Sequence, residues 1–162
     1  MKKVLFLLFL LASFGSHAQS IPAYSAEMLM KRASNDDTIY VINFWATWCA
    51  PCVHELPEFN KLYDHFAGKP VKILMVSLDF KEGYPREIEK MAEKKKMREE
   101  LVWLNETNAN IFIPKIEDSW QGSIPATLVL QHGQYFRQFW EGAIKAESVE
   151  NVVEKQLTYF NR

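Results

Sequence analysis

Cysteine is nearly absent from this chain. Its 162 residues contain two, Cys49 and Cys52, spaced as Cys-Ala-Pro-Cys. A structural zinc site normally wants four ligands, as two such pairs or as one pair with two spaced histidines. There is no second pair, and His17, His54, His65 and His132 show no such spacing. Covalent haem attachment needs a histidine directly after the second cysteine; Val53 stands there, and His54 comes one residue too late. A surplus of basic charge is also missing, with 19 Lys+Arg against 20 Asp+Glu. A nucleic-acid surface would be distinctly basic, so that class is excluded. Lys94-Lys95-Lys96 sits in a glutamate-rich helical stretch and reads as a solvated face. No internal repeat and no low-complexity segment interrupts the chain.

The apolar run at residues 4–12 is about nine residues, too short for a spanning helix, which needs roughly 20. Lys2-Lys3 precede it and Ser16-His17-Ala18 follow, the layout of an export signal with a small-x-small cleavage site. Residues 1–18 are therefore expected to be removed after Ala18, leaving 19–162 as one domain of 144 residues. No cysteine lies near that cleavage site, so no lipid anchor is expected. Loss of Lys2 and Lys3 leaves 17 basic against 20 acidic residues, a net charge of −3.

What remains is a dithiol. The pair follows a β-branched and aromatic run and opens a helical pattern, which puts Cys49 at a helix N-terminus. Free backbone N–H groups and the helix dipole favour a thiolate there. Cys52 lies one turn on, close enough to close a disulfide. A merely structural disulfide is the bland alternative, but closing so short a loop removes little chain entropy. Copper held by the pair and a distant histidine such as His132 is another. In an oxidising compartment an exposed dithiol stays reduced only if electrons are supplied.

Hydrophobic periodicity predicts alternating elements. Helices are expected at 25–32, 49–67, 86–98 and 147–160, and strands at 38–45, 71–78, 101–104, 126–130 and 135–140. The last two strands form a hairpin through His132-Gly133. Residues 105–122 read as less regular. Pro57 interrupts the cysteine helix, yet apolar spacing continues to Phe66, so a kinked helix is expected rather than a terminated one. This order argues an α/β domain with a mixed sheet.

With these elements in place, the chain resembles the thioredoxin superfamily, and more narrowly the exported TlpA/ResA-type thiol–disulfide oxidoreductases. Asn43-Phe44-Trp45-Ala46-Thr47-Trp48-Cys49-Ala50-Pro51-Cys52 carries the resemblance most specifically, followed by Glu55-Leu56-Pro57. Ser123-Ile124-Pro125-Ala126-Thr127 matches the cis-proline segment, and His132-Gly133-Gln134 with Glu141-Gly142 the hairpin turn and the glycine after the last strand. The resemblance implies a thioredoxin-like fold, a central mixed β-sheet flanked by helices with an insertion of the TlpA/ResA type.

It also implies roles. Cys49, nearer solvent, is the expected attacking thiolate and Cys52 the resolving thiol. Pro51 suits the first helical turn. The peptide bond before Pro125 is expected to be cis, with Ile124 offering backbone to an extended substrate; without the resemblance a trans turn proline would be the default. Asn43 stands where cytoplasmic thioredoxins carry an aspartate, and an amide cannot serve as the base for Cys52. Glu55 is then the nearest carboxylate by sequence, a proton-transfer group or else a surface charge. His54 is expected in solvent. Trp48 reads as an apolar rim; Trp45, Trp103 and Trp140 read as core, and Trp120 as core or the edge of a substrate groove.

The function so implied is disulfide reduction on protein substrates in the periplasm. Electrons would come from a membrane donor, and preparing apocytochrome c cysteines for haem attachment is the family's best-known task. The protein is expected to act as a monomer, with no metal and no cofactor beyond the Cys49–Cys52 pair. An oxidant or isomerase of secreted proteins, or a copper chaperone on the same fold, are the alternatives.

Overall fold

The computed structural model describes residues 20–160. The expected export signal and its cleavage site lie outside the described residues. In chain order the elements are β1 (Ala23–Tyr24), α1 (Ala26–Arg32), β2 (Ile39–Trp45), α2 (Ala50–His65), β3 (Val71–Ser77) and α3 (Arg86–Lys95). Then come β4 (Glu100–Leu104), α4 (Ala109–Ile116), β5 (Ala126–Gln131), β6 (Phe136–Glu141) and α5 (Ala146–Phe160).

The strands form one sheet in the order β1-β4-β3-β2-β5-β6. β2 runs parallel to β3 and antiparallel to β5, so the sheet is mixed. Every residue of β2 and β5 is buried. A strand covered on both faces carries apolar residues continuously instead of alternating them, as Ile39-Tyr40-Val41-Ile42 does. One face packs Ile39, Val41 and Trp45 against Leu56, Phe59 and Leu62 of α2, Ile88 of α3 and Val149 and Val153 of α5. The other packs Tyr40, Ile42 and Phe44 against Leu29 of α1 and Phe112 and Ile116 of α4.

Three local departures from the sequence reading have physical causes. Residues 105–122 are not wholly irregular: Asn108 caps α4 by accepting from the Asn110 N–H at 3.1 Å, and Pro114 sits inside the helix. β1 is two residues long, too short to show a period, and among the described residues it pairs with β4 at the sheet's edge. The hairpin turn is one 3-10 turn, His132–Gln134, and Tyr135 leaves it at φ 52° instead of opening β6. Through Pro57, by contrast, α2 runs on to His65, as expected.

Candidate redox site

β2 delivers the chain to the centre of the sheet's edge of loops, and Ala46–Trp48 turn it into α2. Cys49 is the helix cap, with extended backbone, and its sulfur accepts from the Cys52 N–H at 3.3 Å. Pro51 lies in the first turn, where its missing N–H costs nothing. The first turn carries no acidic residue, so no carboxylate within that turn opposes a negative sulfur at the positive end of α2. Cys49 and Cys52 form a disulfide with sulfurs 2.03 Å apart and Cα atoms 5.3 Å apart. Cys49 is 6% exposed and Cys52 fully buried, so approach from solvent favours Cys49.

Ile124 and Pro125 reach the pair from 75 residues away in sequence. The Ile124 carbonyl oxygen lies 3.8 Å from Cys49 Sγ, and the Ile124–Pro125 peptide is cis. The segment is held from behind. The Glu141 carboxylate accepts from the Ser123 N–H at 2.7 Å and the Gln121 N–H at 3.0 Å, and the Trp120 indole donates to the Ser123 carbonyl at 2.9 Å. Gly142, at φ +104°, turns the chain out of β6 so that its N–H donates to the Pro125 carbonyl at 2.8 Å. Trp120 is itself buried among Phe44, Phe112 and Phe139. It is core that anchors the loop and does not edge a groove, because the α4 segment folds over it.

Glu55 is not a surface charge. It is 3% exposed, and both oxygens are engaged: Oε1 accepts from Asn43 Nδ2 at 2.9 Å, and Oε2 from the Ile144 N–H at 2.9 Å. Asn43 Nδ2 also donates to Thr127 Oγ1 at 3.1 Å, while Asn43 Oδ1 is buried with no partner among the described residues. Burial pushes the Glu55 carboxyl above the usual carboxylate range; the Ile144 N–H and Asn43 amide pull the other way, and the charge of Glu58 adds to the rise. A proton-accepting group thus lies one helical turn below Cys52.

Asp79 and Phe80 were not singled out by the sequence. Asp79 is buried after β3, and its carboxylate accepts from the Thr47 N–H, the Thr47 hydroxyl and the Ser77 hydroxyl, the last at 2.7 Å. That clamp fixes the turn that leads into Cys49. Phe80 stacks on Trp48 with ring centroids 5.7 Å apart and planes 17° apart. His54 is exposed. His132 follows β5 at the end away from Pro125 and pairs with Asp36 at 2.7 Å. Six strand residues, about 20 Å, separate it from the cysteines, too far to share a metal with them.

The AhpC/TSA family pattern matches residues 23–134, more than half of the chain. The chain belongs to the AhpC/TSA family. Among curated proteins it is similar to sporulation thiol-disulfide oxidoreductase A of Bacillus subtilis, at 37% identity over 82 residues, covering 44% of this chain and 50% of that protein. It is also similar to thiol-disulfide oxidoreductase ResA of Geobacillus kaustophilus, at 30% identity over 121 residues, covering 70% of this chain and 60% of that protein. The matches thus span about half to three-fifths of these relatives. Among solved structures, StoA from Bacillus subtilis superposes with a TM-score of 0.58 at 23% identity, over 72% of this chain and 83% of that one. That likeness shows a thioredoxin-like fold.

Proposed function

We propose that this member of the AhpC/TSA family is an exported thiol–disulfide oxidoreductase that reduces disulfides of protein substrates in the periplasm. The observation that carries the reading is one disulfide at a helix N-terminus whose Cys49 keeps a sliver of exposure while Cys52 keeps none, with the Ile124 carbonyl against Cys49 Sγ. The names of the matched relatives support the reaction class, and the N-terminal sequence pattern supports export.

In the reductive direction, the Cys49 thiolate attacks one sulfur of the substrate disulfide. The substrate S–S bond breaks, a Cys49–substrate mixed disulfide forms, and the departing substrate thiolate takes a proton. Cys52 then loses its proton and attacks Cys49 Sγ. The mixed disulfide breaks, the second substrate thiolate leaves and is protonated, and the Cys49–Cys52 disulfide forms. Two electrons have passed from protein to substrate. Glu55, one helical turn after Cys52 on α2, is suited to receive the Cys52 proton because burial holds its carboxyl easier to protonate. Ile124 and Pro125 position the substrate backbone, and Trp48, Pro51 and the clamp at Asp79 hold the shape of the turn.

The pair is its own redox group, so turnover needs only a source of two electrons, which we assign to a membrane donor. Apocytochrome c cysteines are the substrate we favour, with the protein acting as a monomer. Oxidation or isomerisation is the second reading. The acid-free first turn of α2 favours it by stabilising a thiolate, whereas the uncharged Ala50-Pro51 bridge favours the reductant. Catalysed reduction of insulin by dithiothreitol tests the proposal. The native protein should accelerate it and Cys49→Ser should not; equal rates would refute the assignment.

A further inference from the structure

The large aromatic rings Phe44, Trp45, Phe59, Trp103 and Trp120 are buried, whereas Trp48 and Phe80 are 56% and 64% exposed. The exposed rings are nonetheless ordered, one stacked on the other at 5.7 Å. Their placement is built into the fold. Phe80 directly follows Asp79, Trp48 directly follows Thr47, and the Asp79 carboxylate receives both the Thr47 N–H, at 3.1 Å, and its hydroxyl. Trp103 adds a bond from its indole to the Asp79 carbonyl at 2.8 Å. Two segments 32 residues apart are thereby fastened side by side, and Trp48, one of the two rings of the apolar ledge they present, directly precedes Cys49.

We propose that Phe80, stacked on Trp48, is a specificity-determining residue that receives an aromatic or branched apolar side chain beside the reacting cysteine of an extended polypeptide. The inference rests on the oxidoreductase reading and names the substrate feature that site selects. A substrate sulfur must come to Cys49, the residue directly after Trp48, so the substrate chain beside that sulfur passes the ledge that Phe80 and Trp48 form. The rings offer π-faces and no charge. The flanking exposed residues, Lys81 and Glu82, are of opposite sign and give no net preference for a charged partner. Rigid aromatic surface beside a reacting centre rewards an apolar side chain over a polar one.

Two peptides test this, each with a single cysteine held as a mixed disulfide with glutathione and differing only in having Phe or Ser on both sides of it. Their single-turnover exchange rates with the reduced protein are compared. The native protein and Phe80→Tyr, which keeps the ring, should react about fivefold faster with the Phe peptide, the size of one aromatic contact. In Phe80→Ala, and in Phe80→Gln as a second ring-free variant, the ratio should fall to near one. Equal rates for the native protein, or an unchanged ratio in either ring-free variant that retains the native circular-dichroism spectrum, overturn the inference while leaving the oxidoreductase reading intact. A native protein that exchanges with neither peptide overturns the oxidoreductase reading, and the inference with it.

Discussion

Asn43 and Glu55 meet across 2.9 Å beneath the cysteine pair, an amide donating to a carboxylate, with both side chains buried. The bond joins the middle of β2 to the first half of α2, and the Ile144 N–H completes the carboxylate from before α5. Three separate parts of the chain therefore converge on one titratable group.

That group should leave a mark on stability against pH. Its carboxyl is raised in the folded protein, so the folded state binds the proton more tightly than the unfolded state does. Its contribution is fully present below the unfolded value of about 4.3 and is lost as pH rises through the raised folded value. Glu55→Gln does not titrate. The stability advantage of the native protein over Glu55→Gln should shrink as pH rises from 4 into that window, measured by urea unfolding at successive pH. An advantage that grows with pH would contradict the assignment.

Removing the Asp79 clamp should be costly. Asp79→Ala leaves the Thr47 N–H, the Thr47 hydroxyl and the Ser77 hydroxyl without their shared acceptor. Buried unpaired donors cost about 1–3 kcal/mol each, with water recovering part of it, so a loss of about 2–4 kcal/mol is expected. Asp79→Asn keeps one acceptor oxygen and should lose less. Equilibrium urea unfolding of both variants checks the order.

The redox potential should lie nearer the roughly −270 mV of thioredoxin than the roughly −120 mV of DsbA, because Ala50-Pro51 puts no charge between the cysteines. A glutathione titration checks it. A value above about −170 mV would favour the oxidant reading.

Much of the fold was readable because its signals are local. β-branched residues in β2, the cysteine pair at the junction and the spacing of Leu56, Phe59 and Leu62 in α2 all lie within one continuous stretch, residues 39–62. α4 is hidden in the sequence because Pro114 and the polar run before Asn108 mask an eight-residue helix; Phe112 and Ile116, four apart, are its one helical signal. The candidate site was legible only in part. Cys49, Cys52, Ile124 and Pro125 carry a motif, whereas the surroundings of Glu55 depend on Ile144, 89 residues away, and the stack of Phe80 on Trp48 depends on the clamp at Asp79. Register between distant strands and loops decides such contacts, and no local pattern in the sequence records it.

The most direct test of the account is whether Cys49 alone captures a protein disulfide. Reduced Cys52→Ser is mixed with insulin at neutral pH and read by intact mass, with and without dithiothreitol. A covalent adduct with an insulin chain, mapped to Cys49 and released by dithiothreitol, is the expected product. No adduct from Cys52→Ser, together with a stable adduct through Cys52 in Cys49→Ser, would contradict it.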